Sequence, residues 1–596
     1  MTVERRAWPY VLLALALVAA GAILSYQTMA VAPAGIWNDD AAYVSLARAV
    51  VQSGHLYHVV SDARGGPFPF LPGYSFFLVP FVLVLPGSLL ALRWVSVACM
   101  LTAAVLAAKV AWPRLGPAGA ILLGAAFFFT RGTMIHGSSL LSDPFFALLL
   151  MALWALWPRV DTPGGWKAGL LMGLGTAWLT STRPAGALLF GSAILLLGLH
   201  RHWRALLACT AGLALGTLPF LPYWLGYLTM HGEATAGQFS AWWAICPAQI
   251  GDELVGLGTG SWWAGAAALL LVVVSVAIQW RRVGLQLETV YLPLYLAHYV
   301  VWPYFSPRYL LPAWPMMLLV MAEALRPVPP AAFLALMLGF GSSGVARTVQ
   351  ESHNVAALSR DRFETYDWMR DHLGPHDLVE DMSGWRTLML AGRPFAVPGR
   401  SIQFPSQLLV EACHDHAPYV LVERHSDLVR SVTGAASFDV PPRLDLWYEC
   451  SSLLTSVHAS RYDELFRVKV DPAKFVPAFQ DFYVAVRSPD PVPGLRACLA
   501  LVPDFPEARH ALALQLWHRP AAPPPETLQL LQSVVEQYPV DVVSTLDLAQ
   551  AEAATGHLDS ARQMVEKAQD AVKRYELPYQ AQVDTTRREL TPAGGG

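Results

Sequence analysis

The stretch Trp37-Asn38-Asp39-Asp40-Ala41-Ala42-Tyr43 follows the first long apolar segment of the chain and places two acids side by side. Residues 1–350 contain 11 acids, and Asp252-Glu253 is the other adjacent pair among them. A helix cap explains Asp39, because an Asp oxygen accepts hydrogen bonds from the unpaired N–H groups of a first helical turn. A cap does not explain both acids at a membrane surface, where ionisable groups facing a cavity are candidate functional residues.

The composition around this stretch indicates a membrane protein. Of the 596 residues, 54% are hydrophobic and only 14% are charged, whereas soluble domains carry about 25% charged residues. Residues 1–350 contain 18 Lys and Arg against 11 acids, and residues 351–596 contain 23 against 33. A fully soluble enzyme is therefore excluded, and the sequence predicts a membrane part followed by a soluble part. The pI of about 6.6 and the lack of a basic tract argue against a nucleic-acid partner.

The apolar segments predict a polytopic bundle of transmembrane helices. The 23 residues of segment 8–30 suit an uncleaved spanning helix, and Arg5 and Arg6 before it predict a cytoplasmic N-terminus. Further apolar runs follow up to residue 347, and the basic loops between the later runs predict that the C-terminal part lies outside. An external C-terminal part requires an odd number of spans. The crossings between residues 69 and 131 are ambiguous, so 11 and 13 spans both stay open.

The pattern changes after the membrane part. Apolar β-type runs such as 419–422 and 466–470 are separated by turn residues, which predicts a small external α/β domain. Segments such as 508–513 and 546–556 resemble helix pairs of tetratricopeptide type. At most two repeats fit, fewer than a solenoid needs, so this part either packs on the α/β domain or binds a protein partner through residues 499–590. The predicted fold class is mainly α, with a transmembrane module (1–348), an α/β domain (349–488) and a TPR-like helical segment (489–596).

Several common motifs are absent from the chain. It contains no P-loop, no G-x-S-x-G elbow, no H-E-x-x-H and no dinucleotide fingerprint. A nucleotide-sugar donor therefore has no visible glycine-rich site. The 6 cysteines form no C-x-x-C pair, which argues against a zinc ribbon or a redox motif. A Cys413–Cys450 disulfide stays open.

Three later motifs bring charged residues to the ends of apolar runs. Ser142-Asp143-Pro144 is a good helix start in its own right, with Pro in the first turn. Thr182-Arg183-Pro184-Ala185-Gly186 is a helix junction in which Arg183 is either functional or an interfacial anchor. Ser306-Pro307-Arg308-Tyr309-Leu310-Leu311-Pro312 contains an arginine that can form a bidentate pair with a lipid phosphate. The alternative for Arg308 is that it extends to the lipid headgroups.

Together these motifs resemble those of integral-membrane glycosyltransferases of the GT-C fold, whose relatives include aminoarabinose transferases and protein O-mannosyltransferases. Asp39-Asp40-Ala41-Ala42-Tyr43 resembles their D-E-A-x-Y motif, with Asp40 where Glu is usual. Segments 142–144, 182–186 and 306–312 resemble their second acidic motif, their T-R-P-x-G junction and their R-Y-L-L-P segment. The resemblance covers roughly residues 8–320.

This resemblance implies a polyprenyl-phosphate sugar donor, chemistry on the external face and inversion by single displacement. It also implies that Asp39 is the general base. Such a transfer needs a carboxylate to deprotonate the acceptor hydroxyl and a cation to stabilise the departing phosphate. We predict that Arg308 binds the donor phosphate, together with Tyr309 and Arg183.

The remaining polar residues near these motifs have two candidate roles. Asp40 and Asp143, which we count with Asp39 as catalytic candidates, either orient the acceptor or supply oxygen ligands to a divalent metal ion. His55 and His136 are further candidate metal ligands, although a lone His near aromatic residues is more often a packed residue.

The resemblance thus implies an enzyme of a bacterial inner membrane, and the predicted topology gives it a periplasmic C-terminal part. Its partners would be membrane lipids, a lipid-linked sugar donor and a glycan, lipid or protein acceptor. One alternative is a transporter of a lipid-linked sugar, which predicts internal repeats and polar residues at the midplane; the sequence displays neither. The other is a non-catalytic scaffold that binds a partner through residues 499–590.

Overall fold

In a computed structural model of the protein, the chain forms two compact units. Of the residues that the structure describes, those from 4 to 360 form the membrane unit and those from 361 to 590 the C-terminal unit. The structure describes residues 4–29, 34–35, 39–54, 70–225, 262–301, 307–325, 328–381, 384–396, 405–423, 453–460, 463–517, 521–538, 541–575 and 579–590. His55 and Cys450 lie outside these ranges.

The membrane unit is built from helices, as the apolar runs predict. The segment Pro307–Ala313 is a 3₁₀ helix, and Leu218–Phe220 forms a short 3₁₀ turn. The last helix continues past the boundary of the unit at residue 360. The helices are α1 (Glu4–Thr28), α2 (Asp39–Ser53), α3 (Gly73–Val84), α4 (Leu89–Phe128), α5 (Arg131–Gly137), α6 (Ser142–Val160), α7 (Trp166–Thr182), α8 (Gly186–Leu199), α9 (Trp203–Thr217), α10 (Trp262–Val283), α11 (Leu287–Val301), α12 (Trp314–Ala324) and α13 (Pro330–His372).

Six segments of the described chain are long and apolar enough to cross a membrane. Two shorter apolar helices, α3 and α8, accompany them in the membrane unit. The polytopic helical bundle is therefore confirmed, and the number of spans stays a prediction. The six segments are Pro9–Thr28, Leu89–Phe128, Ser142–Val160, Trp203–Leu225, Ala266–Val283 and Pro330–Gln350.

The region of ambiguous crossings contains a long, bent helix. Helix α4 has 40 residues, which at 1.5 Å per residue is about 60 Å, or twice the hydrocarbon core of a bilayer. It bends at Gly116, whose φ is 70°, and Pro113 and Pro117 on either side break the regular helix. Helix α3 has only 12 residues, about 18 Å, and is shorter than a bilayer core.

Helices α7 and α9 approach each other closely through glycines. A Cβ added at Gly173 would lie 2.0 Å from the carbonyl oxygen of Cys209, and one at Gly212 would lie 2.3 Å from that of Leu170. Small residues stabilise helix pairs in membranes because they let the backbones pack directly. This contact fixes α7, whose C-terminal end carries Arg183.

We predict that Gly173→Ala separates α7 from α9 and destabilises the protein by about 1–3 kcal/mol, the usual cost of overpacking. The matched control is Gly191→Ala in α8, where an added Cβ meets nothing within 4 Å and a helical glycine is replaced by a better helix former. Thermal unfolding in detergent measures both. Equal melting temperatures for Gly173→Ala and the wild type would contradict the close contact.

The C-terminal unit contains a five-stranded sheet in the order β2-β1-β3-β5-β4. Strands β1, β2 and β3 are parallel, β5 pairs antiparallel with β3, and β4 pairs antiparallel with β5. Side chains alternate between the two faces, since Val420 and Phe466 belong to one apolar core and Leu421 and Leu465 to another. The strands are β1 (Val379–Asp381), β2 (Phe395–Ala396), β3 (Tyr419–Glu423), β4 (Leu454–Ala459) and β5 (Asp463–Val468).

A short helical segment, Gly384–Arg386 followed by a π-helical turn Thr387–Ala391, lies between β1 and β2, and longer helices follow and flank the other strands. One continuous apolar core extends from Leu408 beside the sheet to Leu590 in the last helix. The predicted α/β and TPR-like parts therefore share buried side chains. The mainly α fold class, with an α/β part and a helical end after the bundle, is confirmed. The helices are α14 (Pro405–His414), α15 (Pro472–Ala485), α16 (Val492–Leu501), α17 (Pro506–Leu516), α18 (Pro525–Gln537), α19 (Val542–Ala554), α20 (Leu558–Tyr575) and α21 (Gln580–Leu590).

A buried carboxyl group links α14 and α17. Glu507 Oε1 accepts a hydrogen bond of 3.0 Å from the Ser406 amide, and Oε2 is buried without a hydrogen-bond partner among the described residues. Burial raises the pKa of Glu507 to about 6, although backbone hydrogen bonds oppose this shift. Because the folded pKa exceeds the unfolded one, this group stabilises the fold below about pH 4.5 and loses that contribution as the pH rises through about 6.

We predict that Glu507→Gln, which mimics the protonated form, stabilises the C-terminal unit at pH 7 by on the order of 1 kcal/mol. Well below pH 4.5 the variant and the wild type should be equally stable. Resistance of the full chain to proteolysis within 405–516, measured across this pH range, tests the difference. The control is Glu526→Gln, because the Glu526 side chain is 48% exposed. A pH-independent difference between Glu507→Gln and the wild type would contradict the account.

Candidate active site

Asp39 is the first residue of α2 and carries a partly exposed carboxylate. Its Oδ2 accepts a hydrogen bond of 2.6 Å from Nη2 of Arg308. The Asp39 side chain is 30% exposed, whereas that of Arg308 is only 10% exposed. The start of a helix favours a negative charge, because the unpaired N–H groups concentrate there. One ion pair thus joins the predicted general base, Asp39, to the arginine predicted to bind the donor phosphate, Arg308.

A second ion pair lies between Arg183 and Asp143. Nη2 of Arg183 donates to Oδ2 of Asp143 at 2.6 Å, and Nε donates to the hydroxyl of Ser142 at 3.0 Å. Arg183 follows the last residue of α7, and Asp143 lies in the first turn of α6. Asp143 is buried, and its Oδ1 has no hydrogen-bond partner in the described part of the chain.

Tyr309 lies where the two ion pairs meet. The guanidinium carbons of Arg183 and Arg308 are 4.7 Å and 5.2 Å from the centre of its ring, within the range of cation–π contacts. Its hydroxyl accepts a hydrogen bond of 3.3 Å from Arg308. The Tyr295 hydroxyl donates to the Tyr309 carbonyl oxygen and so holds the 3₁₀ segment. Five predicted site residues are therefore neighbours: Asp39, Asp143, Arg183, Arg308 and Tyr309.

Tyr43 and Ser142 belong to the same network, although the sequence analysis gave them no role. The Tyr43 hydroxyl donates to Ser142 Oγ at 3.3 Å, and burial raises the pKa of Tyr43 to about 12, so the group stays protonated. Its ring packs edge-on against Tyr74 at 5.2 Å. Tyr43 and Ser142 lie within the motifs at 37–43 and 142–144, so the sequence contained a signal for both. No motif contains Tyr295.

Asp40 has a different environment from Asp39. It is fully buried, and its Oδ2 accepts a hydrogen bond of 2.6 Å from the Gly35 amide. Consecutive residues of a helix point about 100° apart, which explains how one acid reaches the site and its neighbour the protein interior. Asp40 thereby holds the Gly35 backbone near the start of α2.

The candidate metal ligands are not gathered around one point. Within the described ranges, the His and acid atoms close enough for a shared ion are those of Asp161, His200 and His202, and not those of Asp40, Asp143 or His136. His136 is buried in α5, and burial, together with the charges of three arginines, lowers its pKa well below the usual value. His136 is therefore a neutral imidazole at pH 7.

No protein-family model and no curated protein matches the chain, but solved structures do. ArnT from Cupriavidus metallidurans bound to undecaprenyl phosphate matches with a TM-score of 0.50 at 10% identity, over 76% of this chain and 97% of that chain. ArnT in the apo state matches with a TM-score of 0.50 at 11% identity, over 78% and 98%. The Archaeoglobus fulgidus oligosaccharyltransferase tethered with an acceptor peptide matches with a TM-score of 0.43 at 11% identity, over 78% and 74%.

The ArnT matches extend over almost the whole length of that protein. ArnT is a membrane glycosyltransferase of the GT-C fold, and identities near 10% establish likeness of fold. The fold that the motif resemblance implied is confirmed: the chain is an integral membrane protein of the GT-C fold.

Proposed function

We propose that the protein is a membrane glycosyltransferase that moves a sugar from a polyprenyl-phosphate donor to an acceptor hydroxyl on the external face. The observation that carries this proposal is the ion pair between partly exposed Asp39 and buried Arg308. A general base and a phosphate-binding cation are the two groups that the transfer requires, and here they are in contact. The similar ArnT structure contains undecaprenyl phosphate, which supports a lipid phosphate as the ligand.

Donor binding and activation of the base are coupled in this proposal. Two carboxylates and two guanidinium groups compensate each other's charge in the absence of donor. A phosphate oxygen can replace Asp39 on Arg308, because Arg binds phosphate as readily as carboxylate. Asp39 then loses its counter-ion and becomes available to accept a proton. The guanidinium of Arg183 also lies over the Tyr309 ring and adds a second cation near the phosphate.

The reaction proceeds as one displacement. The acceptor oxygen attacks the anomeric carbon while its proton passes to Asp39. The bond between that carbon and the phosphate oxygen breaks, and the phosphate leaves with the electron pair, stabilised by Arg308. The sugar configuration inverts.

Asp143 and Asp40 are positioning residues in this scheme. Asp143 holds the Arg183 guanidinium, and Asp40 anchors the connection before Asp39. The acceptor is a glycan, a lipid or a protein that presents a hydroxyl group. The bacterial inner membrane and the periplasmic orientation belong to this proposal as well.

We predict that Asp39→Asn lowers kcat by about 10²–10⁴-fold, the usual contribution of a general base. The same change should preserve or tighten binding of polyprenyl phosphate, because it neutralises the Asp39 carboxylate that competes with the phosphate for Arg308. Transfer of radiolabelled sugar in reconstituted membranes and binding of the unlabelled lipid phosphate measure the two effects. The control is Asp367→Asn, whose side chain is 61% exposed in the C-terminal unit.

Transfer by Asp39→Asn at the wild-type rate would assign the base elsewhere. No transfer by the wild type with any polyprenyl-phosphate donor would favour the scaffold alternative.

We also predict that Arg308→Lys lowers kcat/KM for the donor by at least tenfold, because an ammonium group keeps the charge but cannot bind phosphate in two-pronged fashion. The matched control is Arg281→Lys at the exposed end of α10, which should leave kcat/KM unchanged. Initial rates at varied donor concentration provide the comparison. An unchanged kcat/KM in Arg308→Lys would exclude this arginine as the phosphate ligand.

A further inference from the structure

A cluster of metal-ligating side chains lies outside the candidate active site. Asp161 follows α6, and His200 and His202 lie in the connection between α8 and α9. Nδ1 of His200 and Nδ1 of His202 are 2.8 Å and 3.0 Å from the same oxygen of Asp161. The three ligand atoms lie within 4.8 Å of one another. We propose that this cluster binds a divalent transition-metal ion, with Zn²⁺ the best fit.

The chain between the two histidines is held in an unusual conformation. Arg201 has a φ of 59°, in the left-handed region that few residues other than glycine adopt. The His200 and His202 amides donate to the carbonyl oxygens of Leu196 and Leu197 at 2.8 Å and 2.9 Å, as in helix ends that usually contain glycine there. This turn directs both imidazoles to one carboxylate, so the ligand set is formed before an ion binds.

The donor atoms select the class of ion. Two imidazole nitrogens and one carboxylate oxygen are a common three-residue zinc set, which leaves a fourth position for water. The set has a single carboxylate, which disfavours Ca²⁺ and Mg²⁺ because they depend on several oxygen ligands. Its two imidazoles favour ions that bind nitrogen. Zinc bonds of about 2.0–2.1 Å place ligand atoms roughly 3.3 Å apart, so the two distances from the histidine nitrogens to the Asp161 oxygen lengthen by a few tenths of an ångström.

This site is separate from the proposed chemistry. Helix α6 has 19 residues, so Asp161 and Asp143 lie at opposite ends of about 28 Å of helix. An ion here joins the end of α6 to the α8–α9 connection. At that distance from Asp143 it takes no part in the proposed glycosyl transfer.

The test uses the full chain purified in detergent with a tag that contains no histidine. After incubation with Zn²⁺ and removal of the excess, elemental analysis should find about one zinc per chain at this site. His200→Gln and His202→Gln should each lower the affinity for Zn²⁺ by at least tenfold. The matched control His376→Gln removes an exposed imidazole of the C-terminal unit and should bind as the wild type does. Zn²⁺ should raise the melting temperature of the wild type and of His376→Gln only.

Two results would overturn the proposal. One is wild-type protein that retains no zinc above the level of a protein-free blank, which would leave a hydrogen-bonded triad alone. The other is equal zinc affinity in the wild type and both histidine variants. If a histidine variant elutes as an aggregate, Asp161→Asn provides the same comparison, since it preserves the size of the side chain and removes the carboxylate ligand.

Discussion

The contact between Asp39 and Arg308 is the interaction on which the candidate site depends. It joins residues that are 269 positions apart in the chain and removes most of the arginine from solvent. Such a pair adds little to stability, because the cost of desolvating both charges offsets their attraction. We infer that the pair is retained for what each charge does when a ligand separates them. The fold at this end of the bundle therefore has to bring the side chains of Asp39 and Arg308 into contact.

The helices accomplish this by carrying charged groups at their ends. Asp39 begins α2, Asp143 lies in the first turn of α6, and Arg183 follows α7. Acids near helix starts and bases near helix ends are stabilised by the unpaired backbone groups there. Charged side chains within apolar helix interiors are costly, which favours the helix ends. The glycine contact of α7 with α9 and the hydrogen bond of Asp40 then fix where two of these ends lie.

The motifs predicted the fold because they are local. Hydrophobic runs predict helices, and the motif at Asp39 marks the turn that leads into α2. Proline and glycine residues separate the runs before and after Gly116, where α4 bends. The partner of each acid could not be predicted. No local feature of the sequence indicates that Arg308 pairs with Asp39 in preference to another carboxylate. The burial of Asp40 and the support from Tyr295 also depend on long-range packing, so adjacent acids looked equivalent in the sequence.

The central claim is that the donor phosphate takes the place of Asp39 on Arg308. A structure of the wild-type protein with a bound polyprenyl phosphate tests this most directly. The account predicts phosphate oxygens within hydrogen-bond distance of the Arg308 guanidinium and the Asp39 carboxylate displaced from its 2.6 Å contact. A bound lipid phosphate with the contact between Asp39 and Arg308 intact would contradict it.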